Sequence, residues 1–392
     1  MQIKILIAFP IIVQFLLSCN KSTINVENPK QRILKSKYEL VVSDERKYNI
    51  DSVTAPRPVY MQYIKGNILT FLNQYNKTIY FYNYNSFKLE KKIFLDKENK
   101  LYRIGGYYYI NDDSIYVYDV PDVKLYLVDS NGKIKKGIAL HDNNHEWPLH
   151  YPQYMISTVV PIIRYHGNLI MTGLSFPSLN SSAIDSFHFT SIINIKTSRV
   201  KFLFTYPKEL YGSDANWEGG LATIVYPVLS ANGDIIHSFP VSHNLYISHC
   251  DGQKYKTIYG GSNFAKTISS IKHKIKTTPD DLILLNYLQM DMYTAILYDP
   301  YRKLYYRFML RGIPNAKITI PKEEKQIDVI IMDNKFNYLG ETIIGKAREW
   351  NWTNSFVTHE GLNIEYLSGN INEDYLIFKT FKLELINKNR LK

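Results

Sequence analysis

The histidines and their neighbours are the residues best able to do chemistry in this 392-residue chain. The densest set is HDNNHEWPLH, with His141, His145, Glu146 and His150. Two imidazoles at i and i+4 of a helix share a face and can hold a metal. His145 and His150 stand at i and i+5, about 140° apart around a helix, and Pro148 breaks such a helix anyway. The stretch therefore reads as a polar connection, with His141, His145 and His150 retained as weak metal candidates in a loop. A second set, His237, His243 and His249, recurs every six residues. A turn centred on His243 would place His237 opposite His249 across a hairpin, although two histidines alone make a poor site. His249 and Cys250 are adjacent, so on a strand they face opposite ways and cannot pair as nucleophile and base; Cys250 reads as a small buried hydrophobe.

No catalytic signature is present. The chain lacks a G-x-S-x-G elbow, a phosphate-binding glycine loop and a G-x-G-x-x-G turn. DSNG at 129–132 suits a type I turn better than a calcium loop, whose later ligands are missing. Carboxylates are scattered without a motif that sets their separation. No catalytic residue and no cofactor is assigned. Aromatic and cationic residues in or beside the connections are better placed for binding: Arg103, Tyr151, Arg164, Trp217, Tyr226, Trp350 and Trp352. Trp and Tyr can stack on sugars or anchor peptides, and Arg can pair with a carboxylate or phosphate. The stretch LYDPYRKLYYRF, 297–308, adds Arg302 and Arg307. Its Asp299-Pro300-Tyr301-Arg302 is a tight-turn sequence. Strand alternation then puts Leu304, Tyr306 and Phe308 on one face, Tyr305 and Arg307 on the other. That split is unlike a continuous polyanion groove, and leaves Arg302 and Arg307 to hold a carboxylate between repeats or an acidic ligand at a channel mouth.

The elements that must position these residues are short strands rich in aromatic and β-branched residues, such as TIYFYNYN, SIYVYDV and DVIIMD. Hairpin turns fall near 85, 131, 197, 251 and 335, and mark five repeating units. A sixth is split between the termini: SFVTHEG, LNIEYLS and DYLIFKTFKLEL lack a fourth strand, and KYELVVS at 37–43 lacks a local partner. The reading is an all-β, six-bladed β-propeller closed by pairing that N-terminal strand with the C-terminal blade. Seven blades or two sandwiches are the alternatives. One short helix is expected near 263–275, where Phe264, Ala265, Ile268, Ile271 and Ile275 share a helical face, Ser262 or Asn263 can cap, and Pro279 lies beyond. Lys266, Lys272, His273 and Lys274 would occupy its other faces, solvated or against a membrane surface or partner.

The N-terminus sets the compartment. Residues 5–17 form an apolar run too short to span a bilayer, ending in Leu16-Leu17-Ser18-Cys19. This resembles a bacterial lipobox, with Cys19 the lipidated mature N-terminus. Residues 1–18 are then a lipoprotein signal peptide, 19–35 a flexible tether, and 36–390 a single propeller domain. Export removes nucleic acid as the partner of a chain with net charge +11, leaving anionic lipid, acidic glycan or acidic protein. The lipobox, the six-unit rhythm and the 297–308 hairpin together resemble a family of uncharacterised, lipid-anchored, six-bladed propellers of Gram-negative envelopes, broadly similar to the TolB-like fold. The resemblance implies fold and anchoring to the outer membrane, on either face, and carries no activity. The functional reading is a non-enzymatic binding or scaffold module for a glycan, peptide or envelope protein. A metal-dependent hydrolase or lactonase-like enzyme, with its site at the central channel, is the alternative.

Overall fold

A computed structural model describes residues 23–51, 58–98, 100–141, 152–175, 187–212, 215–217, 220–250, 252, 254–273, 277–367 and 374–387. Six antiparallel sheets of four or five strands are arranged as the blades of one propeller. Blade 1 runs Val59–Ile64, Ile68–Asn73, Thr78–Asn83, Leu89–Phe94, and blade 2 Ile104–Asn111, Ser114–Asp119, Lys124–Val128, Ile134–Ala139. Blade 4 runs Tyr226–Leu229, Asp234–Ser238, Asn244–His249, Lys256–Tyr259, and blade 5 Met292–Asp299, Leu304–Leu310, Gln326–Asp333, Tyr338–Lys346. Blade 6 takes Trp350–Val357, Leu362–Tyr366 and Tyr375–Leu385 from the C-terminus, and its outermost strand, Tyr38–Asn49, from the N-terminus. That strand pairs from Tyr38 opposite Leu385 to Asn49 opposite Tyr375, so the ring closes as the sequence implies.

Blade 3 departs from the pattern. Its second to fourth strands are Asn168–Leu174, Thr190–Asn194 and Val200–Leu203, but its innermost strand is in two pieces. Gln153–Tyr154 pairs with Gly173 and Leu174, and Ile163–Tyr165 pairs with residues 168–170. The chain between them, 155–162, leaves the sheet.

The turns follow a sequence rule. An Asn or Asp side chain accepts the backbone N–H groups two or three residues on, and the fourth residue after it takes a left-handed conformation. Asn83 accepts from Asn85 and Ser86 before Phe87 at φ 61°, and Asp299 accepts from Tyr301 and Arg302 before Lys303 at φ 55°. Asn73 with Lys77 and Asn194 with Ser198 repeat it. Short polar side chains mimic a backbone turn in this way, which makes hairpins from residues of weak strand propensity.

The helix expected near 263–275 is not formed over 263–273. Ser262 Oγ instead accepts the N–H groups of Phe264 and Ala265, and Ile268–Ser269 pairs as a short strand with Asn25–Val26. The apolar spacing there serves an extended segment whose Ile268 and Ile271 are buried, while Phe264 is exposed. A ten-residue helix lies just beyond, at Asp280–Gln289, with Pro279 before it and Asp280 and Asp281 in its first turn, where the helix dipole favours acids. The N-terminal segment read as a tether is likewise bound to the fold over residues 24–37. The side-chain amide of Asn28 donates to Ser262 O and Ala265 O, the Arg32 N–H to Asn263 O, and the Lys37 N–H to Leu339 O.

Candidate functional site

Strand direction alternates within each blade, so each end of the strands gives one face. The blade-to-blade connections and the loops between second and third strands emerge on one face, here called upper. The first-to-second and third-to-fourth hairpins emerge on the lower face.

The central channel is occupied by the segment that interrupts blade 3. Ile156 packs on Gly106 of blade 2, where an added Cβ would lie 2.5 Å from Ile156 Cγ2. Thr158 Oγ1 accepts the Met61 N–H of blade 1 at 2.8 Å and donates to Asn354 Oδ1 of blade 6 at 3.1 Å. The Asn354 amide in turn donates to Glu365 Oε2 at 2.6 Å and Pro58 O at 2.8 Å. Val159 and Val160 are buried in the same apolar cluster as Phe308 and Trp350. Four blades therefore close on residues 156–160.

The residues singled out in the sequence scatter around this plug. Tyr226 and Trp352 meet edge to face at 6.1 Å. Trp350 is wedged against Tyr366 and Phe381, and the Trp217 indole is buried with its N–H donated to Leu210 O at 2.6 Å. Both are packing residues. Arg103 and Arg164 are exposed on blades 2 and 3, Arg164 near Tyr108 and Tyr116. Tyr151, His145 and His150 lie outside the described residues, as does Cys19. His141 is exposed, and among the described residues no group of three or more His, Cys, Asp or Glu is placed to hold a metal. The strand register sets His237 opposite Tyr246 and His249 opposite Asp234, so the two histidines do not face each other. His237 is fully buried among Phe189, Phe204, Phe239 and Tyr255, and burial lowers its pKa to about 3.

The two arginines of the 297–308 hairpin have separate tasks. Arg302 bonds Asp299 Oδ2 at 3.0 Å and donates to His359 O of blade 6 at 2.7 Å, which fastens neighbouring lower-face hairpins. Beside it, Tyr301, Tyr63 and His359 line an open hollow of about 610 Å³. Arg307 is fully buried and holds no carboxylate among the described residues. Its donors reach Ser238 Oγ and the carbonyls of Phe239, Ser242, His243 and Gly260, all of blade 4 or just after it.

A larger cavity, about 790 Å³, lies on the upper face over blade 5. One wall comes from the connection into blade 5 (Phe264, Lys266, Asp291), another from the loop between its second and third strands (Arg311, Ile313, Pro314, Ile320, Pro321), and a third from Arg32. Lys346 closes the outer side. The acids are already engaged: Asp291 accepts the backbone N–H groups of Lys266 at 2.7 Å and Gly312 at 2.8 Å, and Glu324 pairs with Lys346 at 2.7 Å and Arg348 at 2.6 Å. Arg32 and Lys266 make no ion pair among the described residues. The Arg311 guanidinium sits 4.4 Å from the Phe264 ring centre while its Nε donates to Asp328.

Beneath Arg311, Asp328 and Glu341 are both buried. Glu341 accepts from Ser262 Oγ at 2.5 Å and the Asn263 N–H at 2.9 Å, which fixes the segment carrying Phe264. Burial first, then the Glu341 charge, raises the Asp328 pKa above the ordinary carboxylate value. The geometry offers a cationic cavity with an apolar wall, suited to an anion that carries carbon.

A family model described as a domain of unknown function (DUF4221) matches residues 37–343. The chain belongs to this family. Among solved structures, a DUF4221 member from Bacteroides vulgatus ATCC 8482 superposes with a TM-score of 0.76 at 18% identity, covering 90% of this chain and 99% of that one. A Bacteroides fragilis NCTC 9343 protein whose description suggests export superposes at 0.51 with 10% identity, covering 89% and 96%. At these identities the likeness shows the fold. No curated protein matches the chain in sequence.

In this DUF4221 chain the cavity residues were largely missed by sequence reasoning. Lys266 was placed on a helix face that does not exist, and Arg32 in a free tether. The available signal was the run RGIPNAKITIPKEEK at 311–325, too long and too rich in Pro and Lys for a simple turn between two strands.

Proposed function

We propose that the protein is a non-enzymatic binding module of the cell envelope, held at a membrane by lipid on Cys19, whose ligand is an anion that enters the cavity over blade 5. The observation that carries this reading is the charge balance of that cavity. Arg32 and Lys266 line it without an ion pair among the described residues, while Asp291 is committed to backbone N–H groups, Glu324 to Lys346 and Arg348, and Arg311 to Asp328. A low-dielectric recess with surplus cations attracts an anion more strongly than a flat surface does. The channel supports a ligand site less well, because Thr158, Val159 and Val160 fill it and bond across it.

The test is a thermal-shift titration of the purified protein with inorganic phosphate, glycerol 3-phosphate and citrate. The reading expects saturable stabilisation by at least one of them, weakened in Arg32→Ala/Lys266→Ala and unchanged in Trp352→Ala. The opposite pattern, loss in Trp352→Ala only, would move the site back to the channel.

A further inference from the structure

We infer that the ligand of the blade 5 cavity is the phosphate-bearing headgroup of a lipid in the membrane that holds the chain. This rests on the binding reading above and adds the source of the anion.

The first observation is where the N-terminal segment is fastened. The Ile24 N–H donates to Ser270 Oγ at 2.9 Å and the Ser270 N–H to Ile24 O at 2.9 Å; Val26 then pairs with Ile268, and His243 Nε2 reaches Val26 O at 3.1 Å. Ile24 lies five positions after Cys19. Fully extended, they span at most about 18 Å. A lipid on Cys19 therefore holds residues 24–26 within that distance of the bilayer surface, and Lys266, two residues before Ile268, stands beside them. The fold does not hang on a long tether; its upper face is drawn toward the headgroups.

The second observation is what that face presents. Phe264, in the cavity wall, is 44% exposed, and Ile33 and Ile318, next in sequence to the lining residues Arg32 and Thr319, are 66% and 44% exposed. Lys30, Arg32, Lys266, Lys317 and Lys322 are exposed among them, against Glu27 and Glu323. Glu27 already accepts the Thr267 hydroxyl at 2.7 Å. Basic residues mixed with aromatic and aliphatic ones match the interface of an anionic leaflet, where the cations meet phosphate and the apolar groups meet the acyl boundary.

The third observation is the shape of the cavity. The cations Arg32 and Lys266 line it with the Phe264 ring, over which Arg311 lies at 4.4 Å, and Ile313, Pro314, Ile320 and Pro321 form the apolar side. A diacylglycerol phosphate has both parts: its phosphate faces the cations and its glycerol ester region lies on the apolar wall. A free phosphate would use only the first.

The full chain in non-ionic detergent, titrated calorimetrically, distinguishes the sources. The probes are dihexanoyl phosphatidylglycerol, dihexanoyl phosphatidylcholine and glycerol 3-phosphate. The inference expects the phosphatidylglycerol to bind tightest, with Arg32→Ala and Lys266→Ala each weakening it about fivefold, near 1 kcal/mol per surface cation. Both side chains are exposed, so the variants keep the fold. Glycerol 3-phosphate binding as tightly as the lipid, with the same sensitivity to the variants, would overturn the lipid inference and leave the binding reading standing. Binding of the choline lipid equal to that of the glycerol lipid would also overturn it. No binding by any probe would remove both.

Discussion

The guanidinium of Arg307 lies 3.9 Å from the ring centre of Tyr293, fully buried, with no carboxylate beside it among the described residues. Four carbonyls and one hydroxyl from blade 4 replace the water it has lost, and the Tyr293 hydroxyl bonds His243 Nδ1 at 2.7 Å and accepts the Ser262 N–H at 2.9 Å. Burial lowers the Arg307 pKa to about 10, which still leaves it charged at neutral pH. One side chain thus joins blades 4 and 5 beneath the upper face. Arg307→Ala strands those carbonyls and should destabilise the fold by about 3 kcal/mol or more in urea unfolding. A loss below about 1 kcal/mol would mean water replaces the guanidinium.

Asp328 sets a pH dependence at the other side of blade 5. Its folded pKa is raised above the usual 3.8, so the folded protein keeps a proton that the unfolded chain releases above that value. The associated stability is full below the unfolded pKa and is lost as pH rises toward the folded one. Asp328→Asn removes this titration, and should raise stability at pH 8 by at least about 1 kcal/mol while changing little near pH 4. Thermal melts at the two pH values check it; equal changes at both would contradict a raised Asp328 pKa.

The buried histidines act in the opposite direction. Burial lowers His237 to about 3 and, as the largest cause, His243 to about 4. The unfolded chain takes up protons below its ordinary histidine pKa of 6.5, so stability falls as pH drops from there toward the folded values. His237 Nδ1 has no hydrogen-bond partner among the described residues, Nε2 has only Ser248 Oγ at 3.5 Å, and the ring is surrounded by aromatics, so phenylalanine suits the site. His237→Phe should flatten the loss of stability between pH 6.5 and pH 4, measured by urea midpoints; a slope equal to that of the parent would show that the ring is protonated in the fold.

Thr158→Val keeps the shape of the channel plug and removes both of its cross-blade bonds. The Met61 N–H and Asn354 Oδ1 lose their partner in a buried setting, at a cost of about 1–3 kcal/mol. Amide hydrogen exchange at Met61 should accelerate. Protection unchanged at Met61 would mean that the plug is held by its apolar contacts alone.

Cys19→Ala, made in the full-length chain, should abolish acylation and move the protein from the membrane fraction to the soluble one. Retention in the membrane without lipid would identify the apolar N-terminal run as an uncleaved anchor.

The sequence showed the architecture more clearly than the site. Six blades and the terminal closure were legible because strand alternation and Asx turns are local, and because KYELVVS had no neighbour to pair with. The 263–275 segment misled because apolar spacing of three and four suits a helix, whereas Ile268 pairs with Val26 of an N-terminal strand more than 240 residues away in the chain and the Ile271 N–H goes to Asn216 O. Arg307 was placed on the correct strand face, yet its partners are carbonyls, which carry no residue-type signal. The cavity was illegible for the same reason: Arg32, Lys266 and Arg311 come from three distant segments, brought together only when the N-terminal residues dock on the connection into blade 5. The plug was hidden because the sequence of Thr158, Val159 and Val160 is β-branched, a composition that strands share.

The most direct test of the cavity as the binding site is a crystal structure of the protein soaked with glycerol 3-phosphate. The account predicts phosphate density over blade 5, within hydrogen-bond distance of the Lys266 and Arg32 side chains and beside the Phe264 ring. Density instead at the channel mouth near Tyr226 and Trp352, or in the lower hollow between Tyr63, Tyr301 and His359, would contradict it.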